Sequence, residues 1–184
     1  GRKVKLLGRA IRGEDGKIRT FVAPHLVNGE DPLAGVEDVF NAITVRGNAI
    51  GDVMFYGRGA GKLPTASAVV ADVMDAARNK DRPKYLDWGP GGEDVALPPD
   101  DVISPWYVRA ECSADALRFA LGEVVLLARP GAPEGESAVL TRPMTRNSLE
   151  DKLPKELCRS VFRVLEDCRP GYGTHKIDHN LQGG

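Results

Sequence analysis

The segment Tyr56-Gly57-Arg58-Gly59-Ala60-Gly61-Lys62-Leu63-Pro64-Thr65 is where this chain is best equipped to meet a ligand. It leads from an alternating segment through three glycines into a helical pattern. Glycine lets a backbone approach a bound group closely, and a helix N-terminus offers unpaired N–H groups with partial positive charge. Arg58 and Lys62 add cationic character, so the chemistry indicated is the binding of an anionic group. The order is neither a GxGxxG opening a βαβ unit nor a Walker A loop, because Leu63 follows Lys62. The same residues also suit an ordinary tight turn from strand to helix, and spacing alone leaves both readings open.

Other reactive side chains are sparse. His175 and His179 stand four apart beside Asp178 and could share a metal on a helix, but no third ligand accompanies them and the surroundings read as a flexible tail. No metal site is therefore assigned. His25, after Pro24, could serve as a general base, although a hydrogen-bonded structural histidine is the simpler reading. Asp100-Asp101 and the run from Glu134 to Glu136 read as solvated loop charges. Neither a paired-carboxylate nor a Ser-His-Asp constellation can be assembled, so no residue is assigned a catalytic role.

The elements that must position the glycine segment follow from periodicity. Val4 to Ile11 reads as a strand, Gly13-Glu14-Asp15-Gly16 as a turn, and Lys17 to Val27 as the returning strand. Asn28 to Pro32 is a loop. Val39 to Val45 alternates, with Val39, Asn41, Ile43 and Val45 on one face, and Gly51 to Tyr56 follows after a Gly47-Asn48 turn. These four strands suggest one antiparallel or mixed sheet. Ala66, Val69, Val70, Val73, Met74 and Ala77 then repeat at helical spacing, with Thr65 as the expected N-cap.

Between about 82 and 104 neither period survives, and Pro, Gly and Asp accumulate, which predicts a linker. The following segment reads as a βαββαβ unit. Trp106 to Cys112 is a strand, and Ser113 caps a helix through Leu121. Glu123 to Ala128 is a strand buried on both faces, and Ser137 to Thr141 returns. Thr145 caps a helix carrying Leu149, Leu153 and Leu157, and Ser160 to Cys168 closes as a strand. The expected class is α+β: a mixed or antiparallel sheet with a helix over 1–81, a linker over 82–104, a ferredoxin-like unit over 105–170 and a flexible tail over 171–184.

Composition narrows the function classes. Of 184 residues 42% are apolar and 28% charged, the balance of a protein with a real core. Lys and Arg number 25 against 26 Asp and Glu, a net charge of -1, so neither nucleic acid nor an anionic membrane surface is an expected partner. No apolar run approaches the ~18 residues of a membrane span. The three cysteines, Cys112, Cys158 and Cys168, lack disulfide-framework or zinc spacing, and a reducing, cytoplasmic compartment is expected. The chain opens Gly1-Arg2-Lys3 with neither initiator methionine nor signal peptide, and we expect it to be part of a longer polypeptide.

Several short motifs in order carry a resemblance. Val22-Ala23-Pro24-His25, Asp31 to Val36, Asn41-Ala42-Ile43, Tyr56 to Gly61 and Pro64 to Asp72 together resemble the late catalytic region of homoserine dehydrogenase, over about residues 9 to 78. The unit beginning Trp106-Tyr107-Val108-Arg109, with Ala138 to Thr145 in its second half, looks like the ACT domain appended to many bacterial members.

The resemblance implies NAD- or NADP-dependent interconversion of aspartate semialdehyde and homoserine, a small-molecule substrate on the route to threonine and methionine. In that family the glycine loop lies beside the nicotinamide end of the coenzyme. Carried onto this chain, Gly59, Ala60 and Gly61 would meet the dinucleotide and Thr65 would stand close to it. The family's amino-terminal dinucleotide fold and its catalytic lysines lie upstream of what this sequence contains. The resemblance thus implies a carboxy-terminal piece without turnover of its own, from a homodimer or higher homo-oligomer. The alternative is an ACT-type amino-acid-binding regulatory and dimerisation module. The loop Glu111-Cys112-Ser113-Ala114-Asp115 lacks the glycine common in effector-binding ACT domains, which leaves a purely structural or dimerising role equally open.

Overall fold

The structure, a computed structural model, describes residues 1–82, 92, 95–128 and 130–165. The His175–His179 pair, Cys168 and the expected tail lie outside the described residues. The chain divides into two compact units: residues 1–22 with 27–99, and residues 23–26 with those from 100 onward.

In the first unit, β1 (Arg2–Arg12) and β2 (Ile18–Asn28) are neighbouring strands joined by the expected turn. Gly16 takes φ 75°, a conformation that glycine adopts without a Cβ penalty. The Asp15 carboxylate accepts two hydrogen bonds from the Arg19 guanidinium, at 2.7 and 2.9 Å. This fork reaches back over Gly13, where a Cβ would lie 2.6 Å from Asp15 Oδ1. β5 (Ala96–Leu97) pairs in parallel with the start of β2, Ile18 opposite Ala96. The end of the stretch expected to be a linker is therefore ordered strand.

The next two strands depart from the single-sheet expectation. β3 (Phe40–Gly47) and β4 (Gly51–Arg58) form a separate two-stranded antiparallel sheet. Asp31 caps a 3-10 turn over Pro32–Gly35, accepting the Leu33 N–H at 2.8 Å, and Asp38 takes φ 57°.

Helix α1 (Lys62–Arg78) follows β4. It starts before the expected cap: Gly61 is the N-cap and Thr65 lies within the first turn. Pro64 caused the difference, because proline in a first turn forfeits no helical hydrogen bond and does not have to precede the helix. The apolar stripe has the predicted spacing, yet no residue of α1 is buried.

The second unit contains β6 (Trp106–Ala110), α2 (Ala114–Leu121), β7 (Val124–Leu127), β8 (Ser137–Thr141), α3 (Arg146–Lys152) and β9 (Cys158–Val164). Its strands run β7–β8–β6–β9, each pair antiparallel, and β9 then pairs in parallel with residues 25 and 26 of β2. The α+β class and the βαββαβ alternation read from the sequence hold. Both caps also form: Ser113 Oγ accepts the Ala116 N–H and Thr145 Oγ1 the Ser148 N–H, each at 3.2 Å.

The core of this unit lies between the helices and one sheet face. Trp106, Val108 and Ala110 from β6 and Val139 from β8 pack against Leu117, Leu121, Leu149 and Leu153. Trp106 donates its indole N–H to the Met144 carbonyl at 3.0 Å, which satisfies the one polar atom of a buried ring. Arg163, opposite Trp106 in register, stands with its guanidinium carbon 4.5 Å from that ring's centre and donates to Ser104 Oγ at 2.8 Å.

Three details differ from expectation. β7 is the edge strand and is only half-buried, with Leu126 43% exposed, so its apolar run reflects one covered face rather than two. α3 stops at Lys152, because Pro154 cannot continue it, and Leu157 falls in a separate 3-10 turn. β9 begins at Cys158, two residues earlier than expected. Among the described residues, no helix is long and apolar enough to cross a membrane.

Candidate functional site

The glycine segment is positioned by the β3–β4 hairpin on one side and α1 on the other. In the hairpin Asn41 stands opposite Gly57 and Phe40 opposite Arg58, and the Gly59 N–H extends the ladder to the Val39 carbonyl at 3.3 Å. Alternation then sorts the side chains. Phe40, Tyr56 and Arg58 share one face, where the Phe40 and Tyr56 rings stack 5.0 Å apart and the Arg58 guanidinium lies 5.2 Å from the Phe40 ring centre. Asn41, Gly57 and Gly59 share the other.

Each glycine has its own geometric reason. At Gly57 an added Cβ would meet nothing within 4 Å, so that position borders open space. At Gly59 an added Cβ would clash with the end of the exposed Asn41 side chain, which would have to turn aside. At Gly61 the backbone takes φ 121°, ψ 150°, which L-residues rarely adopt. Thus Gly61 is glycine because of the backbone conformation by which the chain turns into a helix, while Gly59 packs beside the Asn41 side chain.

The helix start adds polarity. Gly61 provides no side-chain cap, and the first helical hydrogen bond runs from the Thr65 N–H to the Gly61 carbonyl at 3.1 Å. Pro64 has no N–H, so Lys62 and Leu63 carry the unpaired donors of this first turn. Among the described residues neither Arg58 nor Lys62 forms an ion pair. The Lys62 ammonium and the two backbone donors at the helix start suit an anionic guest, whereas Arg58 lies over the Phe40 ring on the hairpin face opposite Gly57. What the segment offers chemically is the means to bind and orient an anionic group.

The structure brings Gly59, Ala60, Gly61 and Thr65 into one exposed strand-to-helix connection. His25 belongs to the second unit, where its ring is buried, with its Nδ1 2.8 Å from the Ala23 carbonyl. Asn41 was not singled out as a site residue in the sequence. Its place on the Gly59 face was contained in the strand alternation, but the contact depends on the register of two strands.

The perturbed groups lie elsewhere. Hydrogen bonds from Arg19 and then the Lys17 N–H outweigh desolvation and hold the Asp15 carboxyl down at about 2. Arg159 lowers Glu111 by a direct ion pair, and Lys155 and then Arg146 lower Glu150. Burial raises the thiols of Cys112 and Cys158, and for Cys158 the neighbouring Cys112 adds to it, which keeps both protonated and poorly nucleophilic. Among the described residues no three His, Cys, Asp or Glu side chains gather as a metal site.

Residues 1–74 match the sequence profile of the family described as homoserine dehydrogenase. The chain is 36% identical over 135 residues to a homoserine dehydrogenase of Neisseria gonorrhoeae, covering 69% of this chain and 30% of that protein. It is 49% identical over 84 residues to one of Corynebacterium glutamicum, 44% of this chain and 19% of the relative. Among solved structures, a homoserine dehydrogenase from Thiobacillus denitrificans superposes with a TM-score of 0.73 at 28% identity, over 90% of this chain and 43% of the other. One from S. aureus gives 0.66 at 29% identity, over 91% and 43%. The chain thus spans less than half the length of each of these relatives.

Proposed function

We propose that this chain, which belongs to the homoserine dehydrogenase family through residues 1–74, supplies such an enzyme with a coenzyme-binding loop and a carboxy-terminal α+β unit. The enzyme in question is an oxidoreductase that uses a nicotinamide coenzyme, NAD or NADP, to interconvert aspartate semialdehyde and homoserine in the cytoplasm, as a homodimer or larger homo-oligomer. One observation supports this reading: an uncapped helix start beside the Lys62 cation, within the matched residues.

When bound, the coenzyme supplies or accepts the hydride. The part played by this chain's residues is binding. Gly59 and Gly61 keep side chains out of the backbone's path, Ala60 adds only a methyl, and the Lys62 and Leu63 N–H groups face the guest. Thr65, one turn in, places a hydroxyl on the same helix end. No acid or base is drawn from this segment, so the chain alone has no turnover.

The βαββαβ unit serves as an ACT-type module. Its first loop turns into α2 through the Ser113 cap without a glycine, which leaves association as open a role as capture of an effector.

Titration of the chain with NADPH and separately with threonine, alongside an assay for homoserine oxidation, tests these roles. Weak NADPH binding with no turnover is the expected result. Turnover by the chain alone would show the active site to be misplaced, and tight threonine binding would make it a sensor instead.

A further inference from the structure

From residue 35 to residue 82 no residue is buried, although this stretch holds the β3–β4 hairpin and the whole of α1. A two-stranded hairpin is marginally stable by itself, and a helix owes most of its stability to packing an apolar face. Neither condition is met within this stretch.

The hairpin is one-sided. On one face Arg46 forks onto Asp52 at 2.6 and 2.8 Å, and the Phe40 and Tyr56 rings stack. The other face carries no charged side chain: it sets Ile43 opposite Phe55 and Val45 opposite Val53, and leaves Ile43 65% and Phe55 62% exposed. Gly57 continues this bare face, and residues 59–61 lead from it into α1, whose Val69, Val70 and Val73 are each more than half exposed. An uncovered apolar face on each of two consecutive elements marks a surface built to be covered.

We propose that the bare hairpin face and the apolar stripe of α1 are the docking surface for the part of a homoserine dehydrogenase that lies outside residues 1–184, on the same polypeptide. The hairpin and most of α1 fall within the family-matched residues 1–74, and the chain superposes over 90% of its length on an enzyme of which it covers 43%. The larger share of such an enzyme is available as the cover. The second unit, which has a core of its own, needs none. The docking rests on the family membership stated above and not on the coenzyme.

Hydrogen exchange in this chain and in the complete dehydrogenase containing it tests the proposal. The amides of residues 66–77 are expected to exchange at least about 100-fold more slowly in the complete enzyme. Val73→Asp is expected to leave the denaturation midpoint of this chain in place, and to lower that of the complete enzyme or prevent its folding. Phe55→benzoylphenylalanine, in complete enzyme prepared from equal parts of isotope-light and isotope-heavy chains, identifies the cover. Photo-cross-links to residues outside 1–184 within a single isotope label are the supporting result.

Cross-links that join light to heavy chains put a second copy on the face and overturn the proposal, as do cross-links confined to residues 1–184. Equal exchange of α1 in the two proteins, or equal effects of Val73→Asp, also overturn it. Slowed exchange of α1 with glycine-segment amides that do not respond to NADPH supports the docking and refutes the coenzyme reading alone.

Discussion

The Gly61 carbonyl accepts the backbone N–H of Thr65 at 3.1 Å, and this bond fixes the start of α1 at Lys62. Gly61 makes it with φ 121° and with Pro64 Cδ 3.4 Å from where a Cβ would stand.

Replacing Gly61 with valine therefore forces a β-branched residue into a conformation that costs roughly 1–3 kcal/mol. Because α1 buries none of its residues, that cost falls on the helix start. Circular dichroism should show fraying of α1. In the complete enzyme the coenzyme KM should rise while the quaternary state is retained. Unchanged coenzyme kinetics would reduce the segment to a turn.

A pH effect follows from Asp15. Its folded pKa of about 2 lies below the ordinary 3.8, because the carboxylate accepts hydrogen bonds from Arg19 and from the Lys17 N–H. A depressed acid stabilises the fold above the unfolded value, and that contribution is lost as pH falls through the folded one. The β1–β2 turn should therefore weaken between about pH 4 and pH 2. Asp15→Asn should remove this dependence. A carboxyl NMR titration of Asp15 with a midpoint at the ordinary value would contradict the ion pair.

The two faces of α2 separate burial from exposure. Leu117 is fully buried in the core of the second unit, and Phe119 is 94% exposed. Leu117→Ala should cost about 2–5 kcal/mol, from lost transfer energy and the cavity left behind. Phe119→Ala should change stability by less than about 0.5 kcal/mol in chemical denaturation. Comparable losses would mean that α2 is seated by its other face.

How much of this could be read from residues alone depended on range. Ser113 and Thr145 announced their caps because capping is settled within three residues. The apolar period of α1 was equally plain, but its start was misread at Thr65, where a proline inside the first turn resembles one before it. The run 123–128 reads as a doubly buried strand, and only the sheet order reveals β7 as an edge. The Asn41–Gly59 contact requires two strands to be set in register, which no local pattern specifies. The glycine loop is legible locally, but no local pattern names its guest, and the coenzyme stands as the proposal made above.

The central claim is that a nicotinamide coenzyme meets the backbone between β4 and α1. Its most direct test is a titration with NADPH of the complete dehydrogenase, isotope-labelled within this segment and followed by amide resonances. Progressive shifts at Gly59, Ala60, Gly61, Lys62 and Thr65, with the βαββαβ unit unmoved, are predicted. Saturation of the enzyme with coenzyme while those amides stay in place would contradict the claim.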